Sequence, residues 1–158
     1  MFSAISSRRR FSDLTEQEVL ALAIASEEDD AQIYRTYAER LRAEYPASAA
    51  VFDGMAAEED GHRRQLIELH QARFGQVIPL IRREHVAGFY ARKPVWLNET
   101  LGLDAIRAEA HAMEVQASAF YTRAAARTQD AATRKLLGDL AAAEAGHANH
   151  ADALQAEH

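Results

Sequence analysis

Hydrophobic positions along this chain recur at alternating steps of four and three residues, the spacing that places side chains on one face of an α-helix. Strand-like alternation is weak and confined to residues 76–81. The pattern therefore predicts an all-helical protein. Four long helices are predicted, running from Thr15 to before Pro46, over about 47–74, over about 104–129, and from after Asp130 onward.

Helix-start and helix-stop signals agree with this periodicity. Thr15 and Glu18 have the spacing of a capping box at the start of the first helix. Leu14 and Val19 flank them and can form a hydrophobic staple across the same turn. Gly75 stands where the second helix is predicted to stop.

The lengths of the links between the predicted helices indicate the topology. Short links join the first helix to the second and the third to the fourth, so each pair should form an antiparallel hairpin. The connector over 76–102 is long and contains Pro79, Gly88 and Pro94, with a possible short helix over 80–86. We therefore expect an all-α, ferritin-like four-helix bundle with one long crossover between helices two and three.

Composition narrows the class of protein further. The chain has 158 residues, enough for one domain with its own core, and we expect a basic tail over 1–13 and the domain over 14–158. The absence of cysteine excludes disulfides, thiolate zinc sites and iron–sulfur clusters. The net charge of −6 argues against general nucleic-acid binding, because affinity for phosphates depends on clustered positive charge. Basic residues over 8–10 and 82–93 are interpreted as a solvated terminus and connector, with an anionic membrane surface or acidic partner as the alternative.

Each predicted helix carries one glutamate on its apolar face. Burying an ionised carboxylate is costly unless it is paired or bound to a metal. These faces carry no lysine and, apart from Arg107 near one end, no arginine. Two divalent cations would compensate the charge of the four glutamates, Glu27, Glu59, Glu114 and Glu144.

Histidines and an internal repeat strengthen this metal hypothesis. The sequence AAEEDGH at 56–62 returns as AAAEAGH at 141–147. Each copy places a histidine three residues after a glutamate, so both side chains lie on one helix face. Single glutamates on two helices with Glu-x-x-His on the other two are the ligand set of a dinuclear iron or manganese site in a bundle core. The predicted ligands are Glu27, Glu59, His62, Glu114, Glu144 and His147.

Residues around these ligands are assigned by their spacing. Tyr34 and Tyr121 each follow a single glutamate by seven residues and are expected to hydrogen-bond a site carboxylate from the core, with a redox relay as the alternative. His111, one turn before Glu114, is a possible extra ligand or hydrogen-bond donor to one. Glu58 points about 100° away from its ligand neighbour and is left out. The remaining histidines are expected to face solvent: His70, His85, His150 and His158.

The ligand-bearing segments resemble the rubrerythrin branch of the ferritin-like superfamily. They read ASEEDDAQIY, AAEEDGH, AMEVQASAFY and AAAEAGH. IPLIRREHVAGF, the PVW at 94–96 and KLLGDLAAAEAGH resemble more narrowly the erythrin domain of membrane-bound ferritins. Two features depart from rubrerythrins: the cysteines of a rubredoxin domain are missing, and so is a second carboxylate near Glu114 on the third helix.

The resemblance implies a di-iron carboxylate domain that binds two Fe²⁺ and oxidises them with O₂ or H₂O₂. Its expected role is iron homeostasis, iron export and peroxide resistance. The resemblance also implies a homodimer at the cytoplasmic face of the inner membrane, with a membrane transporter domain following the last helix.

Two rival interpretations come from other classes of protein. One is a module that senses or relays iron without turnover. The other is a structural helical dimer whose site takes manganese or zinc adventitiously, since the affinities of N/O sites for divalent metals overlap.

Overall fold

The computed structural model describes the backbone of residues 9–87 and 102–157, and the side chains of residues 9–87 and 102–147. The described part is an all-α bundle, as predicted, with a long crossover between its two helical hairpins. None of its helices is both long and apolar enough to cross a membrane. The helices are α1 (Glu16–Leu41), α2 (Pro46–Phe74), α3 (Leu103–Arg127) and α4 (Ala131–Glu157).

The predicted caps are present at both ends of the first hairpin. The Thr15 hydroxyl accepts a hydrogen bond from the Glu18 backbone N–H, and the Glu18 carboxylate accepts one from the Thr15 N–H. Leu14 and Val19 are buried in the same apolar cluster, as a hydrophobic staple requires. Gly75 ends α2 with a φ of 91°, a left-handed conformation that glycine adopts without steric cost.

The connector forms less helix than the sequence predicted. The short helix expected over 80–86 is only a single 3₁₀ turn, Arg83–His85. It leads into strand β2 (Val86–Ala87), which pairs in parallel with strand β1 (Arg9–Arg10). Phe11 follows β1 and is buried in the core, three residues before the predicted domain start at Leu14. The domain boundary itself stays a prediction. Residues 88–101 lie outside the described part.

Two arginines of the connector contact the bundle, whereas the sequence predicted that they would be solvated. Arg82 Nη2 lies 3.0 Å from Asp29 Oδ1, and Arg83 Nη1 lies 3.0 Å from Asp30 Oδ1. Asp30 is buried, and only 13% of the Arg83 side chain is exposed. The prediction fails because the carboxylates that hold these arginines come from α1, more than fifty residues earlier. Arg10 is exposed, as expected.

Two apolar clusters make up the described core, one toward each end of the bundle. The first contains Leu20, Leu66, Phe120 and Leu137, so all four helices contribute to it. The second includes Tyr37, Phe52, Ile106 and Met113 from α1, α2 and α3. On each of these three helices the predicted ligand glutamate lies between the segments that enter the two clusters. A carboxylate layer therefore separates two apolar layers.

Candidate metal centre

The predicted glutamates are all buried, one from each helix. Their relative exposures are 2% for Glu27, 0% for Glu59, 0% for Glu114 and 1% for Glu144. Positions spaced by four and three residues along α1 form one stripe, and all of them are buried: Leu20, Ile24, Glu27, Ala31, Tyr34, Ala38 and Leu41. The period of this apolar face therefore places the Glu27 carboxylate in the core. Sequence periodicity thus brings four carboxylates to one level of the core.

Potential ligand atoms gather into two overlapping groups. One consists of Glu27, Glu59, His62 and Glu144, and the other of Glu59, Glu114, Glu144 and His147. The ligand atoms within each group lie within 4.8 Å of one another. Glu59 and Glu144 belong to both groups, which is the arrangement needed for two cations to share bridging carboxylates.

Each histidine turns its Nδ1 atom toward the carboxylates. His62 Nδ1 lies 3.4 Å from Glu144 and 3.7 Å from Glu27. His147 Nδ1 lies 3.2 Å from Glu114 and 3.6 Å from Glu144. The two imidazole rings stack with their centroids 6.2 Å apart, so they lie side by side at one side of the centre.

Two tyrosines hold the outer carboxylates across the hairpins. The Tyr34 hydroxyl on α1 donates to Glu114 Oε1 on α3, and the Tyr121 hydroxyl on α3 donates to Glu27 Oε1 on α1. Both rings are buried. The expectation that these hydroxyls bind site carboxylates is confirmed, and each tyrosine binds the glutamate of the opposite hairpin.

Several buried ligand atoms have no hydrogen-bond partner. They are Glu27 Oε2, both carboxylate oxygens of Glu59, Glu144 Oε1 and His62 Nδ1. Buried polar atoms normally have hydrogen-bond partners, so a cluster of buried oxygen and nitrogen atoms without them indicates a site that can bind an ion. Oxygen and imidazole nitrogen suit iron, manganese and zinc. The residues present therefore fit a pair of divalent cations.

Without bound cations, protons on the carboxyl and imidazole groups would balance the charge of the centre. Burial, reinforced by neighbouring carboxyls, raises the pKa of Glu59 far above its usual range. Burial also raises the pKa of Glu114, to about 9. Although burial opposes it, the adjacent carboxylates raise the pKa of His62 to about 9 and that of His147 to about 11. The two histidines also hold the pKa of Glu144 below its usual range despite burial. Cations that bind here must displace these protons.

The other histidines depart in part from the sequence-based predictions. His111 is half-buried and lies in neither group of possible ligands. His70 was expected to face solvent, and this prediction is wrong: it is fully buried. Its Nδ1 lies 3.0 Å from the Gly75 carbonyl oxygen and its Nε2 lies 3.4 Å from the Gln17 amide nitrogen. His85 is exposed as predicted, and the side chains of His150 and His158 lie outside the described residues.

Glu58 reaches the centre, although the sequence analysis left it out. Its Oε2 atom accepts a hydrogen bond from His147 Nε2, while 58% of its side chain remains exposed. Helix geometry places the Cβ of Glu58 facing away from the ligands, and that part of the prediction did not consider the length of the side chain. The flexible side chain carries its carboxylate across to α4. The sequence signals for this contact are the adjacent glutamates at 58–59 and the alanine that takes the place of Glu58 in the second copy of the repeat.

The chain is similar to known proteins in both sequence and fold. The family model described as Rubrerythrin matches residues 18–155, a range that includes all four helical ligand segments. Among solved structures, "Hypothetical Protein Pfu-1136390-001" from Pyrococcus furiosus has a TM-score of 0.74 at 23% sequence identity, with 93% of each chain covered. That likeness supports the fold alone. No curated protein matches the chain.

Proposed function

Because the chain belongs to the rubrerythrin family, whose domain implies a di-iron carboxylate site, we propose that its buried centre binds two Fe²⁺ ions and promotes their oxidation by O₂ or H₂O₂. The observation that carries the proposal is the pair of ligand groups that share Glu59 and Glu144. A mononuclear site would not require two histidines and two further glutamates arranged symmetrically about the shared pair.

The positions of the side chains suggest a role for each ligand. Glu59 and Glu144 would bridge the two ions, because each belongs to both groups. Glu27 with His62 would complete one side of the centre. Glu114 with His147 would complete the other side in the same way.

The protein contributes geometry, proton handling and exclusion of water. When bound, each Fe²⁺ supplies one electron, so a pair of ions with two protons can reduce H₂O₂ to two water molecules or O₂ to H₂O₂. Tyr34 and Tyr121 orient the outer carboxylates through their hydrogen bonds. Each hydroxyl binds only one oxygen of its carboxylate; the second oxygen of Glu27 has no hydrogen-bond partner, and that of Glu114 lies 3.2 Å from His147 Nδ1. The apolar clusters on both sides restrict the access of water to the layer.

The wider biological role is also a proposal, and it rests on the resemblance of the sequence to membrane-bound ferritins. We infer a part in iron homeostasis, iron export and peroxide resistance, as a homodimer that works with a membrane transporter at the cytoplasmic face of the inner membrane. The residues of this chain contain no cysteine, so we infer that electrons for repeated peroxide reduction come from Fe²⁺ itself or from a donor outside this domain. Sedimentation measurements on the purified chain test the dimer directly.

Anaerobic titration of Fe²⁺ into metal-free protein tests the function. We expect two ions per chain, followed by oxidation when O₂ or H₂O₂ is added. Glu144→Ala should lose at least one ion and most of the oxidation, because Glu144 belongs to both ligand groups. Glu68→Ala, an exposed change on α2, serves as the control and should behave as wild type.

The same titration separates this proposal from its rivals. Oxidation by Glu144→Ala at the wild-type rate would refute the assignment of the centre. Binding of two ions without turnover would favour a module that senses or relays iron. Failure of the wild-type protein to bind ions at all would mean that the repeated Glu-x-Gly-His has a packing role.

A further inference from the structure

The two halves of the centre are related by the internal repeat, but the repeat is broken beside the ligands. Aligning residues 56–62 with 141–147 pairs Glu59 with Glu144 and His62 with His147. The same alignment places Glu58 opposite Ala143. A carboxylate therefore precedes the ligand glutamate on α2, and a methyl group takes its place on α4.

This difference creates unequal surroundings for the two histidines. His147 donates from Nε2 to Glu58 while its Nδ1 faces the carboxylate layer. His62 also directs Nδ1 toward the layer, 3.4 Å from Glu144. The α4 position equivalent to Glu58 is Ala143, which has no carboxylate to offer the outer nitrogen of His62.

A carboxylate on the outer nitrogen of an imidazole affects how the inner nitrogen binds metal. It keeps the proton on Nε2, so the lone pair of Nδ1 points into the centre. It also fixes the rotation of the ring and increases the basicity of Nδ1 as a ligand. Loss of such a partner costs a site about 10- to 100-fold in metal affinity.

We propose that Glu58 is a positioning residue for His147 and that it makes the two ion sites unequal, so that the first divalent ion binds on the His147 side. The inference rests on the proposed dinuclear function and deepens it. Glu58 acts through the histidine and is not itself a ligand in either group. Filling of the centre then has an order that is set by one exposed carboxylate.

Titration of metal-free protein with Co²⁺ tests this order, with heat and visible absorption as the two readouts. We expect two resolved binding steps for the wild type. Glu58→Ala should weaken the tighter step by about 10- to 100-fold and leave the weaker step nearly unchanged. Glu58→Gln should retain most of the tight step, because its amide oxygen can still accept from Nε2–H. Glu28→Ala is a matched control, since its side chain is 59% exposed against 58% for Glu58.

Two further measurements separate positioning from a general structural effect. Ala143→Glu places a carboxylate at the equivalent position on α4 and should tighten the weaker step. Nitrogen NMR of the histidine rings is then recorded on protein loaded with Zn²⁺ in place of Co²⁺. His147 should be present only in the Nε2–H form in the wild type and in a mixture of forms in Glu58→Ala.

The outcomes distinguish the positioning role of Glu58 from the dinuclear function of the centre. Two bound ions with both steps unchanged in Glu58→Ala, or with both steps weakened equally, would overturn the positioning role and leave the dinuclear centre intact. Fewer than two ions bound by the wild type would overturn the dinuclear function and this inference with it.

Discussion

Replacement of Glu59 by leucine should make the metal-free protein more stable while it abolishes the stabilisation by metal. Glu59 is fully buried, and neither of its carboxylate oxygens has a hydrogen-bond partner. Leucine has a similar shape and carries no polar atom, so it removes the cost of burying the carboxyl. It also removes a ligand shared by both ion sites.

The expected magnitude follows from two opposing contributions. A buried polar group without a partner costs about 1–3 kcal/mol. The imperfect fit of a shorter side chain costs up to about 1.5 kcal/mol. The metal-free variant should therefore gain about 1 kcal/mol in the free energy of unfolding, which raises Tm by about 2–4 °C for a domain of this size. With metal at a hundred times its dissociation constant, each occupied site should add about 2.7 kcal/mol to the wild type and little to the variant.

Urea denaturation in a chelator, and again with excess Mn²⁺ under nitrogen, measures both effects. Glu59→Leu should be the more stable protein in the chelator and the less stable one with metal. Met55→Leu, a volume-conserving change one turn earlier on α2, is the control and should keep the full stabilisation by metal. A metal-free Glu59→Leu protein that unfolds at lower urea than wild type would refute the view that the carboxylate layer costs stability.

Two other substitutions test interactions outside the ligands. Tyr121→Phe removes the hydroxyl that donates to Glu27 and should lower the free energy of unfolding by about 1.5–3 kcal/mol. Tyr45→Phe, at an exposed site, is the control and should change it little. Equal losses for the two variants in urea denaturation would contradict the hydrogen bond. Hydrogen bonds from Arg9 and from the Thr15 N–H lower the pKa of Glu18 to about 2. The stability that ionised Glu18 contributes is therefore present above pH 4.5 and is lost as the pH falls toward 2. Glu18→Gln keeps the capping pattern and should show a shallower fall of Tm over that interval, and an unchanged slope would contradict the ion pair.

The helices and the clustering of the buried glutamates with two histidines could be predicted because their signals are local or repeated. The cap at Thr15 involves residues three apart, and the stop at Gly75 follows from the conformational freedom of one residue. The glutamates were found because a buried stripe with period 3.6 admits few carboxylates unless they have a function. Duplication of Glu-x-Gly-His supplied the second, independent signal.

Most of the contacts that the sequence did not predict join segments far apart in the chain. His70 is buried because Gln17 and the turn at Gly75 close over it, and its own neighbours on α2 do not reveal this. Arg83 pairs with Asp30 only because the crossover returns to α1. Glu58 contacts a histidine 89 positions away. Helical periodicity predicts which way a Cβ points, but not which partner a long side chain reaches.

The separation of the core into two apolar clusters affects how the protein can vary. Leu20 and Leu137 belong to one cluster, Phe52 and Ile106 to the other, and the carboxylate layer lies between the two sets. Substitutions that share no contacts usually have additive effects on stability. Each end of the bundle can therefore be repacked, residue by residue, without regard to the other, while the layer between them allows almost no change. Apart from Tyr34 and Tyr121, which belong to the clusters and bind the layer, residues of the two clusters should tolerate more substitution than the carboxylates between them.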